Sequence, residues 1–139
     1  MKLSTKSRYA SRALIELGLQ YGEGPVKLKD ISAIQEISLK YLEQVMFPLR
    51  ISGYVKTMKG SQGGYILARH PDSITLLEIV ECVEGPIAPV DCVDHAELCE
   101  RSEHCVTRDA WIGLKNVIRN ELGKITLAEL VEKQRQING

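Results

Sequence analysis

The stretch "ISLKYLEQVMFPLRISGYVKTMKGSQGGYILAR", residues 37–69, constrains the fold more than any other part of the chain. Ser38 is a helix N-cap, and the run after it places Leu39, Leu42, Val45, Met46 and Leu49 on one inward face. Gly53 closes that helix. Two short β segments, Tyr54–Thr57 and Tyr65–Ala68, then flank a basic, glycine-rich turn, which is the pattern of a hairpin. Upstream, a short helix near Leu28–Ile34 turns Ile31 and Ile34 inward and reaches Ser38 through a tight connection at Glu36 and Ile37. Two helices joined by a tight turn and followed by a basic hairpin make a winged helix-turn-helix.

Flanking elements complete the reading. A first helix starts at Ser4 or Thr5, runs to about Tyr21, and buries Ala10, Ala13, Leu14, Leu17 and Gly18 before "GEGP" stops it. Thr75 with Glu78 forms a capping box for a helix to about Glu84. A helix from about Thr107 to Leu122 follows the loop after it, and Thr126 with Glu129 opens a last short helix. The predicted fold is mainly α: a winged helix-turn-helix domain over residues 1–84, a loop over 85–106, and C-terminal helices over 107–139.

The formal net charge of zero divides unevenly. Residues 1–70 hold eleven Lys and Arg against five Asp and Glu, whereas residues 71–139 hold seven against thirteen. A basic half of +6 followed by an acidic half of −6 points to a polyanion as partner of the basic half. On the helix after Ser38, the residues outside the apolar stripe are Ser38, Lys40, Tyr41, Glu43, Gln44 and Arg50. In a major groove Gln44 can bond adenine and Glu43 can accept from cytosine. Lys56 and Lys59, with Gly60, Ser61, Gly63 and Gly64, let the hairpin approach phosphates closely, and Lys2, Ser4, Thr5, Lys6, Arg8 and Arg12 add donors near the start of the first helix. The expected partner is double-stranded DNA.

Residues 91–105, "DCVDHAELCERSEHC", hold three of the four cysteines, five carboxylates and two histidines, with no apolar periodicity. The N-terminus lacks the apolar core of a secretory signal, and nowhere do eighteen apolar residues run together. These features predict a cytoplasmic chain without a membrane span, in which clustered thiols serve metal or redox chemistry before disulfides. The neighbouring carboxylates are expected to raise the thiol pKa values slightly. Cys82, within "LLEIVECVEG", reads as a small core residue. Zinc is disfavoured because no short Cys-x2–4-Cys knuckle is present. No Cys-x-x-Cys pair, phosphate loop or nucleophile–base pattern points to an enzyme.

The segments "MKLSTKSRYA", "ISLKYLEQVMFPLRISGYVKTMKGSQGGYIL", "SITLLEIVECVEGP" and "ITLAEL" resemble the bacterial Rrf-type winged-helix transcription regulators over nearly the whole chain. The resemblance is nearest to the members that sense iron–sulfur clusters and control cluster biogenesis genes. It implies a homodimer on a palindromic operator, with the long C-terminal helix crossing between subunits. The apolar face of Trp111, Leu114, Val117, Ile118 and Leu122 is longer than one small domain needs and suits that role. It also implies a [2Fe–2S] cluster held by Cys92, Cys99 and Cys105. The gap between Cys92 and Cys99 is one residue longer than in those members, and Arg108 stands where they carry a histidine. Candidates for a fourth ligand are His104 first, then His95, Asp91, Glu100 and Asp109. Alternatives are a cluster-free thiol or protein-partner regulator of cysteine metabolism, and a zinc-stabilised repressor.

Overall fold

The computed structural model describes residues 2–139. Ser4 caps helix α1 (Thr5–Leu19), its hydroxyl accepting from the Lys6 N–H, and Ala10, Ala13, Leu14, Leu17 and Gly18 form the buried stripe. Helix α2 (Leu28–Gln35) ends on Glu36, whose φ of 55° reverses the chain into α3 (Leu39–Ile51). Ser38 caps α3 by accepting from the Tyr41 N–H, and Leu42, Val45, Met46 and Leu49 are buried.

Two residues expected in the core point outward. Ile34 is 63% exposed and Leu39 is 42% exposed. Ile37, on the turn between them, is buried instead. The Arg12 guanidinium also binds both the side chain and the backbone carbonyl of Gln35, tying the end of α2 to α1 through polar groups. Leu39 is the first residue of α3, so its side chain leans back over the turn and away from the core.

Strands β1 (Val55–Met58) and β2 (Gly64–Leu67) pair antiparallel, with Val55 opposite Leu67 and Met58 opposite Gly64. Each lies one residue off the sequence expectation, shifted toward the turn. The hairpin gains a third partner that the sequence does not announce: Val26 and Tyr65 exchange backbone hydrogen bonds of 2.9 and 2.8 Å. Gly64 is required there, because a Cβ would lie 2.5 Å from the Val26 carbonyl oxygen.

Helix α4 (Leu76–Glu84) opens on the expected capping box, with Thr75 and Glu78 bonding reciprocally. Cys82 is half-buried and packs its sulfur 3.5 Å from the Pro48 carbonyl of α3. Helix α5 (Val106–Lys124) contributes no buried residue, although it runs for 19 residues, about 28 Å. Helix α6 (Leu127–Asn138) has the Thr126 hydroxyl on the Glu129 N–H but not the returning half of the box.

Helix α6 packs back on the N-terminal body. Leu127 and Val131 are buried, and Gly18 of α1 faces Val131 so closely that a Cβ would stand 2.4 Å from its Cγ2. The backbone bonds Leu76 N–H to Ile125 O and Leu127 N–H to Ile74 O, both 2.8 Å, join the starts of α4 and α6. One core thus unites α1–α4, the hairpin and α6, leaving α5 and the loop before it on the outside. No described helix is long and apolar enough to cross a membrane.

Candidate nucleic-acid interface and cysteine loop

The α3 side chains Lys40, Glu43 and Gln44 are exposed and, among the described residues, make no ion pair or side-chain hydrogen bond. Lys2, Arg8, Lys59, Gly60 and Ser61 are likewise exposed. Three residues expected to contact DNA also hold the face together. The Ser38 hydroxyl is used by the α3 cap. Tyr41 is half-buried, its hydroxyl 2.9 Å from Thr5 Oγ1 and its ring set edge-on to Tyr9 at 5.5 Å. Ser4 gives both its backbone N–H, at 2.8 Å, and its hydroxyl to the Glu84 carboxylate. Tyr41 therefore locks the first turn of α3 to α1, and Ser4 locks α1 to the end of α4.

Burial pushes the Glu84 carboxyl upward, but the hydrogen bonds from Ser4 outweigh it and hold the group below the usual glutamate range. Glu84 is the last residue before "GPIAP", so this carboxylate joins the start of the cysteine loop to the N-terminus of α1.

The residues read from the α3 sequence omit Phe47, which is 56% exposed. It lines one shallow hollow with Lys40, Glu43 and Gln44, and the Arg50 guanidinium sits 5.8 Å from its ring centre. The signal was available: an aromatic residue outside the buried stripe, four positions after Glu43.

Residues 91–104 fold as three single turns of 3-10 helix, Asp91–Val93, Ala96–Leu98 and Ser102–His104. Cys92 lies in the first turn, Cys99 follows the second, and Cys105 directly precedes α5. Cys99 is exposed, while Cys92 and Cys105 are half-buried. The Ser102 hydroxyl, 2.8 Å from the Ala96 carbonyl, braces the loop internally. Two α5 side chains brace it from outside: Arg108 binds the Cys92 and Val93 carbonyls, and Lys115 pairs with Asp94.

The acidic loop does not raise the Cys105 thiol as expected. A hydrogen bond with the Thr107 hydroxyl, 3.1 Å from the sulfur, and then the Arg108 backbone N–H bring it below the ordinary cysteine value. The helix start supplies donors that outweigh the desolvation of the thiol.

The donor set suits an iron–sulfur cluster in kind, with three reachable thiols. It is not arranged for one as folded: among the described residues, no three Cys, His, Asp or Glu side chains converge. His95 is 3.4 Å from Glu97, and His104 shares a shallow pocket with Cys105, Glu100 and Arg101. Arg108 cannot ligate, because its guanidinium keeps its proton.

On α5, Trp111, Leu114 and Val117 are 40%, 43% and 65% exposed, and Ile118 and Leu122 are half-buried. Beside them, Leu3, Ile15, Leu76, Val80, Leu122 and Leu130 line an apolar groove between α1, α4, α5 and α6.

The chain matches the family model "Rrf2: Iron-dependent Transcriptional regulator" over residues 3–133. It is 40% identical to the HTH-type transcriptional regulator CymR of Bacillus subtilis over 130 residues, 94% of this chain and 89% of that protein. It is 38% identical to the HTH-type transcriptional regulator IscR of Xenorhabdus nematophila over 138 residues, 99% of this chain and 84% of that one. Among solved structures it is similar to CymR (YrzC), the global cysteine regulator of B. subtilis, with TM-score 0.80 and 38% identity, covering 96% of this chain and 98% of that one. It is also similar to T. potens IscR, with TM-score 0.81 and 37% identity, covering 100% and 92%. These relatives are named as HTH-type transcriptional regulators, and α2, α3 and the adjoining hairpin have the winged-helix arrangement. The chain belongs to the Rrf2 family of transcriptional regulators.

Proposed function

We propose that this regulator binds palindromic double-stranded DNA as a homodimer and that a [2Fe–2S] cluster on Cys92, Cys99 and Cys105 governs its choice of operator. The observation that carries this reading is the placement of three accessible thiols in one loop wired to the reading head. Arg108 and Lys115 fix that loop to α5, and Glu84 at its entry bonds the N-terminus of α1. Tyr41 in turn ties α1 to the first turn of α3. When bound, the cluster supplies a thiolate cross-link sensitive to redox state and iron supply. His104, beside Cys105, is the first candidate for the fourth ligand.

Lys40, Glu43 and Gln44 face the base edges, and Lys59 with Gly60 and Ser61 approaches the backbone from the wing. Lys2 and Arg8 add phosphate contacts from α1. A second copy covers the apolar face of α5 and the adjoining groove, because two half-sites need two reading heads in fixed relation. The regulated genes are those of iron–sulfur cluster biogenesis, as the sequence resemblance to the cluster-sensing members implies.

A second reading, a cluster-free thiol or protein-partner regulator of cysteine metabolism, is favoured by the likeness to CymR and by Arg108 standing in the fourth-ligand position. The deciding experiment compares operators selected from random DNA by the wild type, prepared without oxygen, and by the Cys92→Ala/Cys99→Ala/Cys105→Ala variant. The cluster reading predicts different operator classes for the two proteins. Identical selections by both contradict it.

A further inference from the structure

We infer that Phe47 is a base-reading residue, its ring receiving the C5-methyl group of a thymine in the major groove. The inference rests on α3 occupying that groove and adds a specificity the polar residues alone do not supply.

Helix α3 buries Leu42, Val45, Met46 and Leu49, and Phe47 lies on the opposite face. Lys40, Glu43, Gln44 and Phe47 follow the spacing i, i+3, i+4, i+7, which sets four side chains in one row. The reading helix of homeodomains presents its base contacts at the same spacing. The four residues line a single open hollow, so whatever enters it meets an ammonium, a carboxylate, an amide and an aromatic ring together.

Phe47 packs its ring into no part of the core, and Ile51, one helical turn on, is 68% exposed as well. An exposed apolar pair beside Lys40, Glu43 and Gln44 gives this face an apolar part that can meet a ligand. Arg50, three residues on, carries its guanidinium over that ring, 5.8 Å from its centre, and steadies it. Of the four bases, only thymine shows the major groove an apolar substituent, its C5-methyl. Gln44 has the amide that pairs with the N6 and N7 of adenine. One turn of α3 thus carries the complement of an adenine and the next carries the complement of a thymine methyl, and together they select for A·T steps.

The test starts from an operator selected by the full-length wild type out of random DNA. Each thymine is then replaced singly by deoxyuridine, which removes only the methyl group, and affinities are measured by fluorescence anisotropy at one salt concentration. At one thymine per half-site the replacement should weaken wild-type binding about fourfold, the worth of one buried methyl group. Phe47→Ala should bind the thymine operator several-fold more weakly and no longer distinguish thymine from uracil at that position. Phe47→Leu should keep part of the discrimination.

Gln44→Ala, measured on the same DNA, separates the two levels of the account. If Gln44→Ala relaxes a base preference while Phe47→Ala distinguishes thymine from uracil as the wild type does, the role of Phe47 is overturned and α3 still reads DNA. If no thymine shows methyl dependence, the role of Phe47 is likewise overturned. If neither variant changes any base preference, α3 does not lie in the groove, and the underlying reading fails with it.

Discussion

Arg108 donates through Nε to the Cys92 carbonyl at 2.9 Å and through Nη2 to the Val93 carbonyl at 3.4 Å, so the first turn of α5 grips the loop beside its first thiol. The grip is on the backbone and leaves the Cys92 sulfur free. Three residues after Cys105, it also sets a group that cannot ligate at the position for which the resemblance to the cluster-sensing members implies a histidine. Arg108→His should therefore slow the loss of the cluster in air, read as the decay of visible absorption after oxygen is admitted. Equal decay in both proteins would show that this position does not face the cluster.

Glu43 sets a carboxylate, unpaired among the described salt bridges, on the exposed face of α3 that is proposed to meet DNA. Such a charge opposes binding unless a cytosine N4 donates to it. Glu43→Ala should let cluster-free protein bind operators that otherwise require the cluster, with a gain of about 1–3 kcal/mol at the mismatched base pair. Cluster-bound and cluster-free forms of both proteins would be titrated against two operator classes. A uniform shift in all four comparisons would mean that Glu43 is only a charge.

Lys59 stands exposed at the wing turn beside Gly60 and Ser61. Lys59→Ala should weaken binding to all sequences alike and reduce the slope of log affinity against log salt by about one. A loss confined to one operator class would show that Lys59 reads bases.

Glu84 supplies a pH test of the strut between the loop and α1. Its carboxyl is held below the usual range when folded, so its contribution to stability is complete above the ordinary glutamate pKa and disappears as pH falls through the lowered folded value. Glu84→Gln should be less stable than wild type at neutral pH, by no more than about 1 kcal/mol for so exposed a pair. The two stability curves should converge on acidification. A gap that does not change with pH would remove the charge from the account.

Local rules were readable in the sequence where a single physical cause acts over a few residues. Ser4, Ser38, Thr75 and Thr126 all cap helices, and the buried stripes of α1 and α3 follow helical spacing except at Leu39. What the sequence did not reveal depends on partners distant in the chain. Val26 joins the wing by pairing with Tyr65, and Ile34 is displaced outward while Ile37 fills the core. Tyr41 and Ser4 carry a second role that the sequence does not announce, as ties, because Thr5 and Glu84 come to meet them. The thiols of the loop were plain to see. Their arrangement was not, because it is set by Arg108 and Lys115 reaching back from α5 across 16 and 21 residues.

The cluster is the central claim, and iron and acid-labile sulfide counts with an absorption spectrum on protein purified without oxygen test it most directly. The account predicts red-brown protein with about two irons and two sulfides per subunit. It also predicts loss of colour on Cys92→Ala, Cys99→Ala or Cys105→Ala and its retention on Cys82→Ala. Colourless protein without iron, or zinc in place of iron, would contradict it.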